Sequence, residues 1–509
     1  MKQDGKMNRS QKFLFNTITS AAYQVVVMVV GFILPRVMII YYGSEINGLV
    51  TSITQFVSYF NLVEAGLSGA TVYALYKPLA NRDNEALSKV VTAAKTLYFH
   101  AGWLYTGLIV IMALVYPFFI HVADMSSIMV SILIVLLGAS GFLDFFTLAK
   151  YRTILTADQR TYVISLTSCV YMLLNAAIIS FLAYCGANII VMRGIATSSI
   201  MLRSVIIIVY MKMKYPDIRY NVEPDYRAMD KRWSAMYLQF LGVIQKGAPT
   251  ILATMFTSLK TVSVYAVYNM VLLGLNSLLD IFMSGLSSAF GEIISRKETN
   301  VLQKAYRDFE FAYYMIITVV YTTAMIMIMP FIMIYTSGIT DTNYNLPIVG
   351  YLLVFNGFLY NIKTPQGMLV IAAGLFKETR IQSSIQAGII IVLGAVLAYF
   401  YGLPGIVIAL CLSNIYRVID LVIFVPSQIT ELPVRETTIR ILMSVLSGSI
   451  SGFIVSCFDL DTNSIVVWGI NAVLVFVVTT MIYIVLAVIL LRNQFLSVMK
   501  RIVSVMKLR

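Results

Sequence analysis

Along most of the chain, apolar residues run on for twenty or more positions before a polar cluster interrupts them. Such runs match the roughly 20 residues that an α-helix needs to cross about 30 Å of hydrocarbon. They predict helices near 17–41, 48–76, 97–119, 127–149, 161–183 and 187–211, then near 235–258, 263–290, 309–335, 346–374, 382–401 and 404–427, with two more near 441–458 and 464–491. The pattern is that of an all-α polytopic membrane protein with about fourteen transmembrane helices. The second and eighth segments are long enough to hold interfacial turns as well as a span.

Composition agrees with this reading. Apolar residues make up 59% of the 509 positions, charged residues 12%, and the mean hydropathy is +0.84; soluble chains are about 45–50% apolar and about 25% charged. Two histidines and four cysteines (Cys169, Cys185, Cys411, Cys457) leave no spacing for a zinc site, an iron-sulfur cluster or a disulfide framework, so no metal or cofactor is expected.

The net charge of +13 changes meaning once it is mapped on the spans. Thirty Lys and Arg residues fall in the N-terminal segment, the loops after even-numbered helices and the C-terminal tail, and one, Lys260, falls in a loop after an odd-numbered helix. That alternation is the positive-inside pattern, so both termini are expected in the cytoplasm and the excess charge sets topology; no nucleic-acid partner follows from it. The first apolar run is about 25 residues long and lacks a small-residue cleavage motif, so no cleavable signal peptide is expected.

A parallel repeat runs through the chain. Gly66–Ala70 reads GLSGA and Gly285–Ala289 reads GLSSA; Leu136–Leu143 reads LLGASGFL and Leu352–Leu359 reads LLVFNGFL; Arg203 late in helix 6 corresponds to Arg417 late in helix 12. The offsets are 219, 216 and 214, and they pair helix 2 with 8, 4 with 10 and 6 with 12, so the halves share one orientation. The expected organisation is an N-terminal lobe at 1–211 (helices 1 to 6), a polar cytoplasmic linker at 212–234, a C-terminal lobe at 235–427 (helices 7 to 12), additional helices 13 and 14 at 428–491, and a basic cytoplasmic tail at 492–509.

Two parallel six-helix lobes, with Phe32-Ile-Leu-Pro-Arg-Val-Met-Ile-Ile-Tyr-Tyr-Gly-Ser-Glu-Ile-Asn-Gly-Leu49 in the first and Thr261-Val-Ser-Val-Tyr-Ala-Val-Tyr268 in the second, resemble the polysaccharide transporters of the multidrug/oligosaccharidyl-lipid/polysaccharide exporter superfamily, the Wzx-type flippases. The resemblance implies a MATE-like fold in a bacterial cell membrane. It also implies alternating access through a central cavity that carries a lipid-linked, usually undecaprenyl-pyrophosphate-linked, oligosaccharide from the inner to the outer leaflet for surface polysaccharide biosynthesis. Membrane lipids, a polysaccharide polymerase and glycosyltransferases are the implied partners, and a monomer is expected. A multidrug or organic-cation antiporter and a peptidoglycan lipid-precursor flippase share the fold and stand as alternatives.

A charge in hydrocarbon costs roughly 2.5–3.5 kcal/mol even on lenient scales, so each ionisable residue within a span needs a reason. The basic set is Arg36, Arg193, Arg203, Lys246, Lys363 and Arg417, and the acidic set is Glu64, Asp144, Asp280 and Asp420. Arg193 and Asp144 lie near span ends, where they can snorkel. Arg36 follows Pro35, Lys246 precedes Gly247 and Pro249, and Lys363 opens Lys-Thr-Pro-Gln-Gly, so each sits beside a helix-breaking residue of the kind that lines transporter cavities. Arg36, Arg203, Lys246, Lys363 and Arg417 are therefore the expected cavity cations. Guanidinium and ammonium groups suit a diphosphate. Glu64, Asp280 and Asp420 either balance these bases or bind a coupling ion, and Arg417 with Asp420 at i,i+3 can equally form a structural pair.

No GxxxxGK[ST], HExxH or GxSxG occurs, and the longest outer loop, near Ser337–Asn345, is about nine residues, too short for the catalytic loop of a membrane polymerase or ligase. A non-enzymatic transporter is expected. The tail, apolar and basic by turns from Phe495 to Leu508, is read as a topology anchor, with a helix lying on the lipid surface as the other possibility.

Overall fold

The computed structural model describes residues 9–64, 66–226, 232–283, 286–458, 462 and 464–507, in two compact units: 1–254 with 258–266, and 255–257 with 267–509. Lys2, Lys6, Gly285, Asp461 and Arg509 lie outside the described residues, as does 227–231 of the linker. The described residues form helices and no β-strand, as the apolar runs require: in lipid a helix satisfies its own backbone.

The first unit holds α1 (Arg9–Phe60), α2 (Leu67–Asn81), α3 (Asn84–Phe119), α4 (Ser127–Leu143), α5 (Ala149–Ala157), α6 (Thr161–Tyr184), α7 (Ile189–Lys214) and all but the end of α8 (Arg232–Phe256). Short turns are possible because side chains cap the next helix: Asp83 accepts from the Glu85 and Ala86 amides, Ser126 from Met129 and Asn188 from Ile190. Helix α1 is two helices in one run, because Gly43 adopts φ +82° and ψ 166°, a conformation that glycine alone adopts without strain. Partner contacts show that the chain reverses there. Lys12 bonds Asp158 at the start of α6, Tyr42 donates to the Ala187 carbonyl at the other end of α6, and Glu64 is back beside Arg152. The α2–α3 turn, the α5–α6 turn and the segment after α7 thus share one end of this unit, its basic end.

The second unit holds most of α9 (Leu259–Met283), then α10 (Leu286–Ser295), α11 (Thr299–Tyr335), α12 (Pro347–Ile362), α13 (Thr364–Ala372), α14 (Arg380–Gly388), α15 (Gly394–Tyr401), α16 (Leu403–Val425), α17 (Val434–Ser456), α18 (Ile465–Leu490) and α19 (Arg492–Lys507). Phe311, Met443 and Tyr483 form a buried cluster through which α11, α17 and α18 pack, and Val498 of α19 enters the same cluster.

Eleven helices among the described residues are long and apolar enough to cross a membrane, so the chain is a multi-pass membrane protein. The difference from fourteen has three local causes. The first two predicted spans run together from Gln11 to Asn81, the seventh contributes only the shorter apolar helix Phe240–Phe256, and the tenth is cut at Lys363 into pieces of 16 and 9 residues. The second predicted segment does contain its turn, a 3-10 helix at Asn61–Glu64 followed by Gly66 at φ +78°.

Candidate functional site

The break at Lys363 follows from its sequence. Pro365 has no amide hydrogen and its ring crowds the preceding turn, so α12 ends at Ile362 and α13 restarts with proline in its first turn. The freed Ile362 carbonyl accepts a hydrogen bond from the Tyr314 hydroxyl at 2.9 Å. Lys363 then projects towards α16, where its ammonium donates to Asn414 Oδ1 at 2.7 Å and stands 5.0 Å from the Tyr360 ring centroid. Asn414 is held on both sides, donating to Asn356 Oδ1 at 2.8 Å and accepting from Gln386 at 3.3 Å. One turn on, buried Arg417 pairs with Asp420, the i,i+3 contact allowed by the spacing. The second unit therefore brings together three expected residues, Lys363, Arg417 and Asp420.

In the first unit α4 passes through a π-helical turn, Asp144–Leu148, into α5. One turn into α5, Arg152 grips two acids at once, Glu64 at 2.6 Å and Asp144 at 2.7 Å. Glu64 is thus a charge-balanced residue, and its partner is a base that the loop count assigned to a turn. Asp144 is likewise paired rather than snorkelling.

The remaining cations of this unit are spread along α1, α7 and α8. Arg203 lies on α7 about 16 Å from that helix's C-terminus. Arg193, ten positions earlier, contacts Met38 Sδ at 3.6 Å. The Nε–H groups of both arginines are buried and donate to no acceptor among the described residues. Lys246 is exposed on α8 beside Gly247, where a Cβ would fall 2.2 Å from the Gln55 side chain, so glycine lets α8 approach the second arm of α1. Arg36 is half-buried in α1 and Asp280 is exposed near the end of α9. Two expected breaks are absent: α1 stays helical through Pro35, and α8 continues through Gly247 and Pro249. A proline inside a span removes one backbone donor, which neighbouring groups can offset without interrupting the helix.

Sequence reading missed the most deeply buried charges. Arg440 and Glu310 are both fully buried and form an ion pair; Glu310 also accepts from Tyr306 and Gln366 at 2.9 and 2.8 Å and from Thr437. Gln366 is the third residue of α13, and its amide also reaches Tyr314 at 2.9 Å, the residue that satisfies Ile362. Arg440 bonds Gln494 of α19 at 2.9 Å. This network buttresses the Lys363 break from behind. The available signal was an acid at the edge of an apolar run, Phe309-Glu310-Phe311, with Arg440 four residues after Glu436.

At the basic end of the first unit, Asp158 binds Lys12 at 3.1 Å, Arg160 and the Tyr215 hydroxyl. Burial pushes the Asp158 carboxyl up, but the bonds from Tyr215, Arg160 and Lys12 outweigh it and hold the group below its ordinary range.

As a sequence, the chain matches no family model and no curated protein. As a fold it is similar to lipid II flippase MurJ in an inward closed conformation, with a TM-score of 0.70 and 16% identity over 94% of this chain and 99% of that one. It is also similar to an inward-facing multidrug resistance MATE family transporter of the MOP superfamily, with a TM-score of 0.61 and 14% identity over 79% of this chain and 96% of that one. A MATE structure in the straight conformation gives 0.52 and 15% over 80% and 94%. At such identities the likeness is one of fold, and that fold is the one the sequence resemblance implied.

Proposed function

We propose that the protein is a flippase carrying a polyprenyl-pyrophosphate-linked oligosaccharide from the inner to the outer leaflet for surface polysaccharide biosynthesis. The observation that carries this reading is the buried Nε–H of Arg203 in mid-span, a charged donor with no acceptor among the described residues. A buried donor left unmade costs about 1–3 kcal/mol, more when charged, and a phosphate oxygen would supply the missing acceptor. Lys363 supports it. Its partner is a neutral amide, and no carboxylate among the described residues forms an ion pair with it. Glu64 and Asp144 are engaged by Arg152 and Asp420 by Arg417, so these acids are not offered to an organic cation.

In this reading Arg36, Arg203, Lys246, Lys363 and Arg417 face one cavity, both termini are cytoplasmic in a bacterial plasma membrane, and the protein works as a monomer alongside the polymerase and glycosyltransferases of its pathway. The likeness to a lipid II flippase favours a second reading, a peptidoglycan precursor with the same diphosphate chemistry.

Depletion in the native cell tests the choice. A lipid-linked oligosaccharide should accumulate in the cytoplasmic leaflet and surface polysaccharide should be lost, with cationic-dye efflux unchanged. Accumulation of the peptidoglycan precursor instead selects the second reading, and lost dye efflux with normal polysaccharide overturns both.

A further inference from the structure

The C-terminal helix α19 does more than end the chain. Ser497 donates to Asp308 Oδ1 of α11 at 2.9 Å, Arg501 pairs with Asp308 at 3.3 Å, and Val498 is buried against the second unit. On either side of this contact lies a cavity. One, of 490 Å³, is walled by Phe290 and Ile293 of α10, Ala305 and Phe309 of α11, and Val498. The other, of 720 Å³, is bordered by Lys304, Ser497, Lys500 and Arg501. Ala305, Asp308 and Arg501 line both, so the cavities adjoin along the Asp308–Arg501 pair, one apolar and the other basic.

Charge and depth define what fits. Asp308 is occupied by Arg501 and Ser497, which leaves Lys304 and Lys500 as exposed cations that pair with no carboxylate among the described residues. Lys304 is on the second turn of α11, whereas Ala312, at the far side of the apolar cavity, lies eight residues further along the same helix, roughly 12 Å deeper. A ligand filling both must have an anionic head and an apolar chain running into the span. Basic pockets between helices at the ends of spans hold anionic lipid headgroups by the same physics.

We propose that α10, α11 and α19 form a binding site for an anionic phospholipid, with its phosphate on Lys304, Lys500 and Arg501 and an acyl chain beside Phe290 and Phe309. The site lies wholly in the second unit and does not depend on what the protein transports.

Native mass spectrometry on the full chain, purified in detergent and mixed with phosphatidylglycerol, phosphatidylcholine or free glycerol 3-phosphate, tests it. Phosphatidylglycerol adducts should exceed phosphatidylcholine adducts at least tenfold. The Lys304→Glu/Lys500→Glu protein should lose that preference, and Ala305→Trp, which fills the apolar side, should lose the adduct itself. Both lysines are exposed, so melting temperatures within a few degrees of the parent are expected; should the double variant not accumulate, Lys304→Gln alone must lower the preference. Equal binding of the two lipids, an unchanged preference in the lysine variants, or displacement of bound lipid by glycerol 3-phosphate overturns the proposal.

Discussion

In each unit a span is interrupted at the same relative place, and these two breaks carry opposite charge. Helix α5 begins at Ala149 and α13 at Thr364, 215 residues on; α7 begins at Ile189 and α16 at Leu403, 214 residues on. The first break is a π-helical turn with an acid at its head, and Arg152 closes on Asp144 and Glu64 together. The second is a proline break whose lysine meets an amide oxygen. Backbone geometry therefore repeats while the charge does not. In the first unit the charges at the break bind one another, whereas in the second the lysine meets an amide and no carboxylate. On the proposed function, the anionic substrate meets Lys363 at the second break.

Removing the buttress of the second break should have the largest effect. Arg440→Ala leaves the fully buried Glu310 without its counter-ion, and losing one partner of a buried pair costs about 3–5 kcal/mol. The expected result is a large fall in melting temperature by scanning fluorimetry in detergent, or failure to accumulate in the membrane. A variant as stable as the parent would separate the network from the break.

Next comes the cation itself. Lys363→Ala removes the ammonium but keeps Pro365, so the break and membrane levels should persist. Surface polysaccharide export should fall by roughly 10- to 100-fold, as expected for losing one charged hydrogen bond worth about 1.5–3 kcal/mol. Unchanged export at normal levels would show that the asymmetry between the breaks has no functional role.

The corresponding change in the first unit should be mild. Asp144→Asn still leaves Arg152 its bond to Glu64, so stability should drop by about 1 kcal/mol or less and export should change by less than about twofold. An effect equal to that of Lys363→Ala would make the two breaks functionally equivalent.

These contrasts also show what a sequence can reveal. The apolar spans are legible because hydrocarbon admits little else, and the Lys363 break is legible because Thr-Pro-Gln-Gly halts a helix locally. Pro35 and Pro249 misled because a local signal was read without the neighbours that keep the helix intact. Glu64 with Arg152 and Glu310 with Arg440 are 88 and 130 residues apart, so only the fold discloses them. Arg440 falls just outside the predicted span 441–458, yet α17 starts at Val434, seven residues before that span, and carries it.

The smallest effect is expected at the turn that follows each break. Asp158 stands in the α5–α6 turn of the first unit and Ala373, 215 residues on, in the α13–α14 turn of the second, so only the first turn is tied by a carboxylate at that position. Because Asp158 has a folded pKa below its unfolded value of about 3.9, it stabilises the folded protein fully above that value. The contribution disappears as pH falls through the folded pKa. Asp158→Asn should therefore lower stability slightly at pH 7, by about 1 kcal/mol or less for a partly exposed cluster, read as a small fall in melting temperature, and the gap to the parent should close as pH falls through the folded pKa, below the ordinary carboxylate range. Melting curves of the pair from neutral pH into the acid range measure this directly. A gap that widens on acidification would mean that the carboxyl is held above its ordinary range, with burial outweighing the bonds from Tyr215, Arg160 and Lys12.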